Sequence, residues 1–290
     1  MSDFQRELAA AIGRATGSAF EIRSREAAQG GDISESFRLG DGTRAFFVKT
    51  QAATRLDLFE AEAAGLAELS AANAVRVPRV ICIGIAAGRA YLVLEHLALQ
   101  SRGDAASLGR QLAQQHRVSA SRFGGARDNW IGATPQPNAW SDDWIDFWRE
   151  RRLVFQLKLA AQNGYGGPLQ RDGEALMARL DEFFGASRPA PSVLHGDLWG
   201  GNHSFLADGQ PVIFDPAVYY GDRECDLAMS ELFGGFAPAF HSAYREAWPL
   251  DAGYATRRDL YNRYLVLNHL NLFGESYGGG VDSILQRYVG

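Results

Sequence analysis

His195-Gly196-Asp197-Leu198-Trp199-Gly200-Gly201-Asn202, followed by Ile213-Phe214-Asp215-Pro216, is the stretch on which the reading of this chain turns. An apolar strand, 192–194, leads into the first run, and a hairpin over 205–214, turning on Asp208-Gly209, separates it from the second. One loop and one strand end therefore carry an Asp, an Asn and a second Asp. Phosphoryl transfer needs a carboxylate beside the attacking hydroxyl and two oxygen ligands for Mg²⁺, and this layout offers both. Asp197 is the candidate base; Asn202 and Asp215 are the candidate metal ligands.

Working outward, the spacing from Asp197 to Asn202 equals that of the kinase loop H-R-D-x-x-x-x-N, with His195 as a buttress of the loop. Asp226 opens a helix shortly after Asp215 and reads either as a carboxylate favoured by the helix dipole or as a clamp on the loop backbone. Trp199, inside the loop, reads as a platform for a sugar or amine, with packing as the alternative. Trp144 and Trp148, at i and i+4, read as helix core.

Upstream, Lys49 closes a strand and Glu62 lies on the next helix, a pair that in kinase-like sites aims an ammonium at the α- and β-phosphates of ATP. Of the 29 basic residues only Lys49 and Lys158 are lysine, so a retained lysine points to a compact ammonium that guanidinium cannot replace. Glu60 competes for the partner role; Glu62 is preferred because Leu66 and Leu69 then fall on the adjacent inward face. Gly30-Gly31-Asp32 marks a hairpin turn whose N–H groups could cover phosphates, although it is neither G-x-G-x-x-G nor a Walker A. Glu95 and Leu97 end the last strand of this region, where a connector would offer backbone hydrogen bonds to adenine.

The pattern predicts an α+β, two-lobed protein-kinase-like fold. Residues 1–97 form a nucleotide-binding lobe, a small antiparallel sheet with an amphipathic leading helix and a helix over 56–71. Residues 98–290 form a larger, mainly helical catalytic and substrate-binding lobe, with helices expected at 222–233, 237–247, 256–273 and 281–288. A net charge of −5 with mixed signs argues against nucleic acid, and no apolar run reaches the length of a membrane span. Cys82 and Cys225 give no disulfide or zinc spacing, and a reducing cytoplasm is the expected location.

With these residues laid out, the chain resembles the fructosamine kinase (ketosamine-3-kinase) family, within the aminoglycoside-phosphotransferase and choline-kinase-like group. The wider group accounts for Lys49, Glu62, Asp197, Asn202 and Asp215. The narrower family is indicated by Thr134-Pro-Gln-Pro-Asn138-Ala-Trp140, the His195–Asn202 run, Phe214-Asp-Pro-Ala-Val-Tyr-Tyr-Gly-Asp-Arg-Glu224 and Leu267-Asn-His-Leu-Asn-Leu-Phe273. The resemblance implies ATP- and Mg²⁺-dependent phosphorylation of the 3-hydroxyl of a ketosamine, a fructosamine or ribulosamine, free or on glycated protein, leading to deglycation. Asp32 departs from the small or neutral residue that would suit phosphates.

Three other readings stand beside it: another acceptor on the same fold, such as an aminoglycoside or choline; a metal-dependent phosphoesterase, suggested by Gly196-Asp197 and Gly201-Asn202-His203; and a silent nucleotide-binding module. The phosphoesterase needs its Gly-Asp and Gly-Asn-His turns on separate strands, and here only four residues lie between Asp197 and Asn202.

Overall fold

The computed structural model describes residues 1–28, 34–185 and 187–274. The Gly30-Gly31-Asp32 turn and the helix expected over 281–288 lie outside them. The chain divides into two compact units, the first of Met1–Asp104 with Ser204–Pro216, the second of the remainder.

The first unit opens with helix α1 (Asp3–Thr16), whose start is fixed by a reciprocal cap: the Ser2 hydroxyl accepts from Gln5 N while the Gln5 side chain accepts from Ser2 N. Gly17, at φ +71°, ends it in the left-handed conformation. Leu8 and Ile12 on its buried face pack with Phe20, Phe37, Leu39 and Val48. Strands β1 (Ser24–Ala27), β2 (Glu35–Gly40) and β3 (Ala45–Ala52) form the expected meander. Helix α2 (Leu56–Ala71) then crosses to β4 (Val80–Ala86) and β5 (Arg89–Glu95), closing an antiparallel sheet of order β1-β2-β3-β5-β4. On α2 the residues Phe59, Glu62, Leu66 and Leu69 are buried at spacings of three and four, so the carboxylate shares the helix's apolar face.

The second unit begins with α3 (Ala105–His116), then the short pair β6 (Asn129–Ile131) and β7 (Thr134–Gln136). Helix α4 (Trp144–Phe147), capped by Asp143, runs through a π turn at Trp148–Leu153 into α5 (Val154–Gln162). Trp144 and Trp148 are core, as the spacing predicts: Trp148 meets Tyr261 edge-on at 4.8 Å, and Trp144 Nε1 donates to the Tyr261 hydroxyl at 3.0 Å. Helices α6 (Pro168–Ala178) and α7 (Leu180–Phe184) lead to β8 (Ser192–Leu194) and the His195–Asn202 loop.

The chain then returns to the first unit for the hairpin β9 (His203–Phe205) and β10 (Pro211–Ile213). The sequence pattern places this island within the helical half, but its backbone bonds lie elsewhere. Phe205 and Gln100 exchange N–H···O bonds of 3.1 and 2.7 Å, and Ile213 N donates to Arg76 O at 3.0 Å. Local alternation reveals a hairpin without revealing which chain segment will pair with it.

Back in the second unit, β11 (Tyr219–Gly221) pairs with β8, followed by α8 (Glu224–Leu232), α9 (Pro238–Ala247) and α10 (Tyr254–Phe273). Helices α3 and α9 touch where Gly109 has no side chain; a Cβ there would sit 2.2 Å from Phe240 O. We expect Gly109→Ala to force these helices apart and cost about 1–3 kcal/mol, the usual penalty of overpacking. Denaturant melts would read this as a lower midpoint at unchanged slope, and an unchanged midpoint would contradict the contact.

Candidate active site

In the first unit β3 and α2 bring Lys49 and Glu62 together, and the end of β10 adds Asp215. Lys49 Nζ donates to Glu62 Oε1 at 2.8 Å and to Asp215 Oδ1 at 2.5 Å. The ammonium and Glu62 are buried, whereas the Asp215 side chain remains 33% exposed. Glu62 is thus the partner and Glu60 is not. Asp215 has φ +57°, a left-handed backbone that costs an ordinary residue about 1–2 kcal/mol and is best tolerated by Asp, Asn and Gly. Such strain gathers at functional positions.

Burial alone would lower the pKa of Lys49, but Asp215 and Glu62 outweigh it and hold the ammonium charged. Burial pushes the Glu62 carboxyl up to about 6, against the pull of Lys49. With both carboxylates ionised the cluster carries one ammonium and two negative charges.

In the second unit the loop after β8 hangs from a buried carboxylate. Asp226 Oδ2 accepts from His195 N at 2.7 Å and Oδ1 from Gly196 N at 2.9 Å. His116 Nε2 reaches the same Oδ2 at 3.1 Å, and its Nδ1 lies 2.9 Å from the Tyr244 hydroxyl. Burial alone would raise the pKa of Asp226; the bond to His116 and the two imidazoles overcome this and leave it below the usual carboxylate range. Gly196, at φ +81°, passes so close to Ala217 that a Cβ would lie 2.1 Å from its carbonyl oxygen. Asp197 N points to His195 Nδ1 at 3.3 Å, and the Asn202 amide donates to Asp197 O at 2.8 Å and Oδ2 at 3.0 Å. His195 is fully buried, in keeping with a buttress.

The fructosamine kinase family model matches residues 4–290. This chain belongs to the fructosamine kinase family. A Synechocystis protein named probable ketoamine kinase is 44% identical over 284 residues, 97% of this chain and 95% of its own length. The crystal structure of a Haemophilus somnus protein named for fructosamine-3-kinase superposes with a TM-score of 0.90 at 29% identity, over 99% of this chain and 97% of that one. An ADP-bound aminoglycoside phosphotransferase shares the fold at 11% identity and a TM-score of 0.63, over 93% of this chain and 94% of its own. The two-lobed protein-kinase-like class is therefore the fold of this family member.

Several features of this fructosamine kinase family chain go beyond the residues singled out in its sequence. The β6–β7 pair is a brace: Asn129 Nδ2, on β6, donates to Val218 O at 2.7 Å and Gln136 Nε2, in the Thr134–Trp140 segment, to Ala217 O at 3.3 Å, pinning the chain just after Asp215-Pro216. Arg152, fully buried, donates to Pro137 O at 2.6 Å and Asn138 Oδ1 at 2.7 Å and stacks on Tyr219 at 4.2 Å. His116 left one trace in the sequence, as the polar member of an apolar stripe with Leu108 and Leu112.

Glu95 N donates to Arg79 O at 2.9 Å, and its side chain accepts from Arg79 N and Arg76. An adenine contact from Glu95 would thus have to come through its carbonyl oxygen. Leu97 lies half-buried just past β5. The Gly30 and Gly31 positions fall outside the described residues. Among the described residues no three His, Cys, Asp or Glu side chains group to hold a metal. A magnesium ion held by one or two protein oxygens and substrate phosphates needs no such cage. The excess negative charge around the partly exposed Asp215 suits that ion.

Two outcomes follow from these charges. Asp226→Asn puts an N–H against a backbone N–H, and we expect a loss of about 3–5 kcal/mol in chemical melts, the cost of breaking a buried charged network, together with a fall in turnover. Glu62 has a folded pKa above its ordinary value, so the folded state binds more protons between pH 4.5 and about 6. Stability should therefore drop as pH rises through that window, while kcat/KM for ATP should climb as the ionised Glu62 takes up Lys49. Glu62→Gln should flatten both profiles, and a variant that keeps the acid limb would assign it to another group.

Proposed function

We propose that this chain is an ATP-dependent ketosamine kinase that phosphorylates the sugar 3-hydroxyl. Family membership supports the acceptor class, and one observation carries the site: Lys49, far away in sequence, meets Asp215 at the end of the signature stretch. The first unit serves as the nucleotide-binding lobe. Lys49, held by Glu62, neutralises the α- and β-phosphates, and Glu95 and Leu97 meet the adenine through main-chain atoms.

Asp197 accepts the proton of O3 as that oxygen attacks the γ-phosphorus; the bond from the γ-phosphorus to the bridging oxygen breaks and ADP leaves. Asn202 and Asp215 would hold Mg²⁺, which would supply positive charge to the β- and γ-phosphates. Asn202 also steadies Asp197, with its amide on the Oδ2 atom. His195 and Asp226 support the loop, and Trp199, 42% exposed, faces the sugar or amine. In the product, phosphate stands β to the C2 carbonyl and is a good leaving group, so elimination frees the amine.

Both fructosamines and ribulosamines suit this chemistry, as do small glycated amines or glycated protein. No helix among the described residues is long and apolar enough to cross a membrane; a cytoplasmic site of action, supplied with ATP and reducing enough to keep Cys82 and Cys225 as thiols, suits this reaction.

Purified protein should phosphorylate fructoselysine or ribuloselysine only with ATP and Mg²⁺. Asp197→Ala should lower kcat by about 10²–10⁴-fold, the range for loss of a general base. Full turnover in that variant, or preference for an alcohol without a ketosamine, would sink the assignment.

A further inference from the structure

The segment between α8 and α9 contains the sequence Phe233-Gly234-Gly235-Phe236, which the reaction described above does not use. Gly234 and Gly235 both adopt left-handed backbone, at φ +71° and +92°. They lay the segment directly on the catalytic loop: a Cβ on Gly235 would stand 2.7 Å from Gly200 Cα, and one on Gly200 would stand 2.8 Å from Gly234 O. Two backbones meet where no side chain fits.

On either side of that contact stands an exposed aromatic ring. Trp199, one residue from Gly200, lies over Gly201, where a Cβ would be 2.3 Å from the indole, and is 42% exposed. Phe233, two residues from Gly235, is 39% exposed. Scattered exposed apolar residues need no explanation, but Phe233 is held in place: it packs on His269 at 4.7 Å, and His269 on Phe273 at 5.7 Å. His269 Nδ1 bonds to Leu265 O at 2.9 Å, and burial lowers its pKa, so the ring beneath Phe233 is neutral. With each Cα-to-Cα link worth about 3.8 Å, Trp199 and Phe233 stand one and two links from the Gly200–Gly235 contact, a backbone separation that a sugar carrying a substituted amine can span.

We propose that Phe233, propped by His269, forms the amine-side subsite of the ketosamine, with Trp199 facing the sugar and Phe233 facing the protonated amine and its substituent. The inference rests on the ketosamine kinase reading. In a ketosamine the amine sits on C1, two carbons from the reacting oxygen on C3. With O3 at Asp197, the amine and its substituent lie beyond the sugar, and the Gly200–Gly235 contact sets Phe233 beside that loop. An aromatic face attracts a secondary ammonium through its quadrupole and offers apolar area to whatever the nitrogen carries. The subsite therefore favours glycated amines with aromatic or long apolar substituents over glycated glycine.

Steady-state kinetics with N-fructosylphenylalanine amide, N-fructosylglycine amide and the ether in which oxygen replaces the linking nitrogen test this. In the wild type KM should rise in that order. Phe233→Ala should raise KM for the phenylalanine conjugate about tenfold and for the glycine conjugate about threefold, with KM for ATP within twofold. Phe233→Leu, which keeps apolar volume but removes the π-face, should narrow the preference for the amine over the ether. His269→Gln should shift KM in the same direction as Phe233→Ala, but less. Equal, less than twofold KM changes for both conjugates in folded Phe233→Ala and Phe233→Leu would overturn the subsite while leaving the kinase reading intact. Absence of any ketosamine turnover by the wild type would remove both.

Discussion

One ammonium shared by two carboxylates holds the first unit's chemistry in place. Lys49 comes from a central strand, Glu62 from the helix that crosses the sheet and Asp215 from a hairpin contributed by a distant stretch of chain. Without the ammonium, Glu62 would be a buried carboxylate lacking its cation, which a protein interior does not tolerate without protonation. A guanidinium would not serve, because its planar fork is matched to one carboxylate face-on. A chain that otherwise writes nearly all its positive charge as arginine keeps lysine here.

The second unit solves a different problem, that of holding a loop still while leaving Asp197 partly accessible. It does so from behind, with Asp226 accepting two successive backbone N–H groups and His116 holding that carboxylate charged. It also does so by excluding side chains, since Gly196 passes against Ala217 and Gly200 against Gly235 with no room for a methyl group. Preorganisation of this kind places an acceptor without asking the reaction to order it.

Much of this was legible in the sequence because it is local. The helix over 56–71 falls where its spacing puts it, and Glu62 could be chosen over Glu60 by asking which carboxylate shares a face with Leu66 and Leu69. What stayed hidden is non-local. His116 stands out as a polar residue on an apolar stripe, yet periodicity cannot name a partner 110 residues away. Arg152 continues the Trp144–Trp148 face but is one arginine among 27, so composition conceals it. The Thr134–Trp140 string identifies the family by its letters, but its work as a brace, through Gln136 on Ala217, depends on a contact some eighty residues apart.

The interleaving of the two units bears on how the protein is made. A nascent chain that has emerged only to Asp104 holds the whole five-stranded sheet, Lys49 and Glu62, but must wait for another hundred residues before Asp215 exists. Through that interval the buried lysine has one carboxylate in place of two, and the edges at Arg76 and Gln100 lack the hairpin that later binds them. Ribosomal synthesis thus delivers helices α3 to α7 before the hairpin, and the last element of the first unit to be translated is the one that finishes its ion cluster.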